Sequence, residues 1–364
     1  MTLWIAFLTA FVLSLIFTPI AIRIAPKIGA VDIPKDGRRM HTKPMPRFGG
    51  MAIFIGTTVA IAVTLGTVHE FQGILLGGVL IYLLGIIDDL KTLSAKVKLV
   101  GQIGCASVVY AFGVRILFIT NHFGDGGHNY FGGVTGYIIT VLWIVGITNT
   151  VNLIDGLDGL ATGVSAIASL CIAYATYIHG AYPATIAMLA IAGGALGFLP
   201  FNFHPAKIFM GDGGSLFLGF MLATLSIVGP VKSATIMAVI VPVLVLGLPI
   251  FDTAFAILRR LVNHRPIMEP DKGHLHHRLM AAGLGQRRTV MTLYGISGVM
   301  GVAAVLFSRD LFVETAGLLG IAAMLIYVFL TDANNWKLEI KAVNVKQEEK
   351  KQHKSTKNRK GKKK

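Results

Sequence analysis

Charge is scarce in this chain. Only 14% of its 364 residues are Asp, Glu, Lys or Arg, and just 18 are acidic. With 54% hydrophobic residues and a mean hydropathy of +0.69, the composition excludes an ordinary soluble domain and indicates a polytopic membrane protein. Cysteine is scarcer still. Cys105 and Cys171 each fall inside an apolar run without a Cys-x-x-Cys partner, which excludes a disulfide framework or zinc ribbon and leaves two free thiols. There is no internal repeat and no second folded domain. The lysine-rich tail lacks interleaved aromatics that would stack on bases, so nucleic acid is not a partner.

What is present is hydrophobic length. Eleven apolar stretches, at roughly 3–25, 48–67, 72–87, 97–116, 133–150, 157–178, 182–201, 214–229, 234–256, 290–308 and 311–331, can cross a ~30 Å hydrocarbon core as helices. Helices are required because lipid offers the backbone no hydrogen-bonding partner. The expected fold is an all-α polytopic membrane protein of about eleven transmembrane helices, the third of them short. The first is not a cleaved signal, because Arg23 and Lys27 follow its apolar run rather than precede it. Segments 23–47, 88–98, 201–213, 257–289 and 332–364 hold 30 of the 33 Lys and Arg residues, against only Arg115, Lys232 and Arg309 on the other side. The positive-inside rule then places the N-terminus outside and the C-terminus in the cytoplasm. Residues 1–331 form the membrane domain and 332–364 a basic tail expected to be disordered. Anionic lipid is one partner for such a tail, and a solubilising, topology-fixing role is the simpler one.

Among the few acids, Asp88, Asp89, Asp155, Asp158, Asp212 and Asp252 lie on or beside apolar stretches, and this topology brings all of them to one face of the bilayer. A carboxylate next to lipid costs at least ~2.5 kcal/mol, so a polar reaction site at the membrane surface is expected there. The third stretch runs into Asp88-Asp89-Leu90-Lys91. Adjacent carboxylates repel unless a cation intervenes, and a Mg²⁺ ion shared with substrate phosphates would serve. A solvated helix end paired with Lys91 is the plainer alternative. Asn149, Asn152, Asp155 and Asp158 recur at every third residue, along one slowly drifting helix face. Capping needs one such residue, and this segment offers four, with Gly156 and Gly159 opening the backbone.

The other polar clusters are basic or glycine-rich. His41, Lys43 and Arg47 lie in a loop stiffened by Pro44 and Pro46, suited to phosphate and equally to an ordinary inside loop. Asn202, His204 and Lys207 lead into Asp212-Gly213-Gly214, where amides at a helix start suit phosphate oxygens if a divalent cation stands between them and Asp212. Asp252 is read as the partner of Arg259 or Arg260. His274, His276, His277 and Arg278 have neither the spacing nor a neighbouring cysteine for a closed zinc site, and a diphosphate or sugar suits them better.

Taken in order, His41…Pro46-Arg-Phe-Gly-Gly50, Asp88-Asp89, Asn152-Leu-Ile-Asp-Gly-Leu-Asp-Gly159, Asn202-Phe-His-Pro-Ala-Lys-Ile-Phe-Met-Gly-Asp212 and His274-Leu-His-His-Arg278 resemble the motifs of the polyprenyl-phosphate N-acetylhexosamine-1-phosphate transferases of glycosyltransferase family 4. The resemblance covers residues 1 to about 331. It implies transfer of a sugar 1-phosphate from a UDP-linked amino sugar to undecaprenyl phosphate, with release of UMP, at the cytoplasmic face of a bacterial plasma membrane. It further implies Mg²⁺ or Mn²⁺ as cofactor, an eleven-helix fold and a homodimer. By this resemblance Asp212 is the principal metal ligand, with Asp88 and Asn152 beside it, and Asp88 and Asp89 serve the lipid phosphate. Asn152, Asp155 and Asp158 face the nucleotide diphosphate, Asn202 and Gly159 lie near the nucleoside, and the histidine loop meets the sugar. Leu275, Arg278 and Arg47 resemble the branch using UDP-N-acetylglucosamine, which begins teichoic acid or related glycopolymers, rather than the branch using UDP-N-acetylmuramoyl-pentapeptide. Gly213 departs from the family's usual Thr, Val or Ala.

Phosphoryl transfer needs positioning and charge neutralisation more than covalent help, which agrees with these residue types. Lys91, Lys207 or the loop cations would hold the acceptor. Direct attack by the lipid phosphate, with Asp88 as base, is preferred over an aspartyl-phosphate intermediate. Two other classes fit less well. A secondary transporter predicts repeats and midplane carboxylates. A CDP-alcohol phosphotransferase needs an Arg where Thr162 follows Ala161.

Overall fold

The computed structural model describes residues 1–33, 44–116, 118–120, 128–228, 243–262, 275–281 and 283–328. Twelve helices occur among them: α1 (Thr2–Ile24), α2 (Gly50–Leu65), α3 (His69–Lys91), α4 (Ala95–Ala111), α5 (Gly133–Ile154), α6 (Leu160–Ile178), α7 (Tyr182–Asn202), α8 (Gly211–Val228), α9 (Gly247–Val262), α10 (Leu275–Ala281), α11 (Gln286–Phe307) and α12 (Phe312–Val328). Strands β1 (Val31–Asp32) and β2 (Met45–Pro46) pair antiparallel, as do β3 (Phe118–Thr120) and β4 (His128–Tyr130). All other regular secondary structure among the described residues is helical.

Seven helices, α1, α3, α5, α6, α7, α8 and α11, are long and apolar enough to span a membrane, and α2 and α12 are apolar but shorter. Ten of the eleven expected stretches coincide with a helix. The ninth, 234–256, begins outside the described residues and ends within α9. The third is not short: α3 runs for 23 residues, because Glu70 and the Asp88–Lys91 segment continue the helix beyond the apolar run that marks it in sequence. The fourth stops at Ala111 rather than 116, where Gly113 turns into the left-handed region at φ 97°. The basic tail lies outside the described residues.

Helix α8 is the hub. Every residue from Gly213 to Ile227 is buried, as expected of a helix that is apolar on all sides. It packs against α2, α3, α5, α6 and α7, while α1 lies outside against α2 and α7. The approach to α8 depends on glycines. A Cβ on Gly85 of α3 would lie 2.5 Å from the Gly213 Cα, and one on Gly50 of α2 would lie 2.4 Å from the Gly214 Cα. Gly85→Ala should therefore push α3 off the start of α8 and cost about 1–3 kcal/mol, the usual penalty of overpacking, seen as a lower unfolding temperature in detergent. Cys105 and Cys171 are free thiols, as expected from the sequence.

Candidate active site

Main-chain bonds carry the first loop to the start of α8. The Phe209 amide donates to Pro46 O at 2.8 Å, and the Gly49 and Gly50 amides donate to Phe209 O and Met210 O at 3.0 and 2.9 Å. Arg47 is pinned between them, its own amide on Ala30 O at 2.8 Å. Its guanidinium reaches across to two helices, with Nε 3.0 Å from Asp89 Oδ1 and Nη2 3.1 Å from Asp212 Oδ1. Burial works against the charge on Arg47, and Asp89 and Asp212 outweigh that and hold it protonated.

The two aspartates at the end of α3 do different work. Asp89 is 3% exposed and accepts the Asp212 and Gly213 amides, each at 2.9 Å, so it caps the N-terminus of α8. Gly211, at φ 74°, is what lets it approach, for a Cβ there would stand 2.6 Å from Asp89 Oδ2. Asp88 instead faces the next helix. Thr92 ends α3 in the left-handed region, which returns the Leu93 amide to Asp88 Oδ1 at 2.6 Å. Ser94 then caps α4, its hydroxyl accepting from Val97 N. The fourth residue of α4 is Lys98, and its Nζ bridges Asp88 Oδ2 at 2.7 Å and Asp212 Oδ2 at 2.9 Å.

Asn152 completes the ring around Asp212. Its amide nitrogen donates to Asp212 Oδ1 at 3.1 Å and to Ser215 Oγ at 2.8 Å, so here it orients Asp212. Asp155 follows the last turn of α5, where burial, with the Asp212 charge adding to it, pushes its carboxyl up to about 7. Asp158 accepts from the loop after α7: His204 Nδ1 lies at 2.8 Å and the Ala206 amide at 3.1 Å. Gly159, at φ 79°, precedes α6, and its carbonyl accepts from the Tyr294 hydroxyl of α11.

Several predicted site residues stand elsewhere. Asn149 is turned to α4, where it exchanges two amide hydrogen bonds with Gln102 at 2.6 and 3.2 Å. Asn202 is 2% exposed and held between Thr162 Oγ1 at 2.8 Å and Ile208 O at 3.0 Å, so it braces the α7–α8 loop from inside. For Asn149→Ala we expect a loss of roughly 1 kcal/mol of stability with little change in donor affinity, and a double-mutant cycle with Gln102→Ala should show the two coupled. Lys91 is exposed on the last turn of α3, and Lys207 is exposed with its Nζ 5.9 Å from the Phe201 ring centroid. Asp252 accepts the Leu275 amide at 2.8 Å, so it anchors the start of α10, on which Arg278 lies. His41, Lys43 and His274 lie outside the described residues, as do the side chains of His276 and His277. Lys98, the bridging cation, is absent from the sequence-derived set. The signal was its position, four residues into a helix capped by Ser94.

Among the described residues no group of three or more His, Cys, Asp and Glu side chains is disposed to hold a metal by itself. Two oxygens, on Asp88 and Asp212, do converge on one cation position, which Lys98 fills. That donor set fits Mg²⁺, which binds through one or two carboxylates and takes its remaining ligands from phosphates and waters.

The family model described as glycosyl transferase family 4 matches residues 71–230. A probable undecaprenyl-phosphate N-acetylglucosaminyl 1-phosphate transferase of Bacillus subtilis (strain 168) is 46% identical over 83% of this chain and 84% of its own. A decaprenyl-phosphate N-acetylglucosaminephosphotransferase of Mycolicibacterium smegmatis is 36% identical over 88% and 86%. A phospho-N-acetylmuramoyl-pentapeptide-transferase of Bacillus pumilus is 33% identical over 84% and 96%. Three motif segments of this chain, Asp88-Asp89, Asn152–Gly159 and Asn202–Asp212, lie within the matched region and meet in one site, and the chain belongs to glycosyl transferase family 4.

Proposed function

We propose that the chain transfers N-acetylglucosamine 1-phosphate from UDP-N-acetylglucosamine to undecaprenyl phosphate, releasing UMP, as the first membrane step of a teichoic acid-like cell-wall glycopolymer. The observation that carries this reading is the meeting of Asp88, Asp212, Lys98 and Arg47 at one end of the apolar helices, in a chain 46% identical to a relative named for that transfer. The more distant likeness to pentapeptide transferases, at 33%, keeps UDP-N-acetylmuramoyl-pentapeptide as the rival donor. The proposed setting is a bacterial cytoplasmic membrane, with eleven spans, the N-terminus outside and the site on the cytoplasmic face. The bias of Lys and Arg supports that orientation. A homodimer and anionic lipid at the tail belong to the same proposal.

In the proposed mechanism an oxygen of the lipid phosphate attacks the donor's β-phosphorus, the bond to the UMP oxygen breaks, and UMP departs with that electron pair. Asp88 takes any proton the lipid phosphate still carries. Arg47 and Asn152 hold Asp212 in register, and the loop at Asp158 and His204 faces the nucleotide. Asp88 and Asp212 would hold Mg²⁺ or Mn²⁺, which when bound draws charge off the donor diphosphate.

The test is Mg²⁺-dependent transfer of radiolabel from UDP-N-acetylglucosamine to undecaprenyl phosphate by the purified protein, with UMP quantified and the pentapeptide donor in parallel. Chelator-sensitive labelled lipid with matching UMP is the expected result. Label from the pentapeptide donor alone would overturn the donor, and no label from either would overturn the reaction.

A further inference from the structure

Lys98 is more enclosed than Arg47, at 19% against 37% side-chain exposure, and it touches the two carboxylates that Arg47 does not bring together. Its ammonium lies between α3 and α8, 2.7 Å from Asp88 Oδ2 and 2.9 Å from Asp212 Oδ2. These are the oxygens on which the proposed divalent-cation site is built, and one position cannot hold both ions. We propose that Lys98 is a resident stand-in for the divalent cation, and that the ion enters only in company with the donor diphosphate, which draws Lys98 off the two aspartates. This rests on the metal-dependent transfer proposed above.

The charges favour entry as a pair. Asp88, Asp89 and Asp212 face Arg47 and Lys98, a net single negative charge among these five groups, to which Asp155 adds when ionised. A divalent ion alone would meet two cations already in place. A nucleotide diphosphate alone would add two negative charges to a site already negative. Together they restore the starting charge. Screening by salt is weak at such partly buried groups, so the sign of the site matters to what enters.

The mounting of Lys98 suits an exchange. Asp88 stays in place through its other oxygen, held by Leu93 N at 2.6 Å, so losing the lysine does not release it. Ser94 caps α4 independently, so the side chain can swing without unwinding its helix. A lysine is a point charge on a flexible four-carbon stem, and the displaced ammonium stays within reach of the incoming phosphates.

Mn²⁺ titration of the purified full chain, with free ion counted by electron paramagnetic resonance, tests this with and without UDP-N-acetylglucosamine. Wild type should bind Mn²⁺ at least about fivefold more tightly with the donor present, within the ordinary range of coupling between ligands. Lys98→Met should bind Mn²⁺ alone at least about tenfold more tightly than wild type and gain little more from the donor. Lys98→Arg, which keeps the charge, should bind Mn²⁺ alone no more tightly than wild type, and Lys96→Met, which removes an exposed charge, should behave as wild type. Because Lys98→Met strips a partner from two aspartates, its melting is followed too, and Mn²⁺ alone should raise its unfolding temperature more than that of wild type. Equal or weaker Mn²⁺ binding by Lys98→Met, with no extra thermal shift, would overturn the stand-in role while leaving metal-dependent transfer intact. No Mn²⁺ binding by any variant, donor present or not, would overturn both.

Discussion

Asp212→Asn should lower turnover at least ~10²-fold in the purified enzyme, with the protein still folded. The amide keeps the size of the side chain and loses its charge. Asp212 is where the site's donors converge: the cations Arg47 and Lys98, with Nη2 at 3.1 Å and Nζ at 2.9 Å, and the neutral Asn152 amide at 3.1 Å. An uncharged residue there would leave the donor diphosphate without its counter-ion as charge builds on the departing UMP. Asp88→Asn should cost a similar factor through its half of the same cation position. The comparison to make is initial rate at saturating donor against binding of the donor, since a group that works on the transition state changes the first more than the second. Near-normal turnover by Asp212→Asn would overturn its proposed role as principal metal ligand.

Asp89→Ala should fail differently, through stability. Asp89 holds two amides at the start of α8 and one arm of Arg47 while almost wholly enclosed. Removing it leaves the two amides at the start of α8 without their acceptor, each at about 1–3 kcal/mol where buried, and takes one of two carboxylate partners from the partly exposed Arg47. We expect a large fall in unfolding temperature, with activity lost in proportion to the folded fraction. Asp89→Asn should fall between, since one amide oxygen cannot serve two backbone donors and its own NH₂ would oppose the second. An Asp89→Ala protein as stable as wild type, yet inactive, would return Asp89 to a role in the reaction itself.

These adjacent aspartates show where sequence reasoning reaches and where it stops. That Asp88, Asp89 and Asp212 belong to one polar site follows from the cost of a carboxylate beside lipid. That one of them is a helix cap does not, because the cap lies 123 residues away. Asn149 shows the reverse failure. A step of three residues turns a helix by about 300°, so each Asn or Asp in the series sits some 60° behind the last. Asn152 therefore faces Asp212 while Asn149 faces Gln102 on α4. Regular spacing suggested a shared face, and the drift was large enough to separate them. Lys98 was hidden for a third reason. A cation in a basic loop looks like topology, and only the turn at Thr92 and the cap at Ser94 point it back at Asp88.

The enclosure of α8 has a bearing on how the enzyme meets changes in bilayer thickness. A helix wetted by lipid answers thinning or thickening by tilting or sliding until its apolar length matches. Helix α1, with 28% of its spanning window buried, turns most of that window outward, whereas α8, with 89% buried, is enclosed by its neighbouring helices. Its depth is set by neighbouring helices and by the Asp89 cap, not by the membrane's hydrophobic height. Acyl-chain composition can therefore vary around the rim while Asp212 keeps its level beside Asp88, and the reaction plane is insulated from the solvent in which the protein is dissolved.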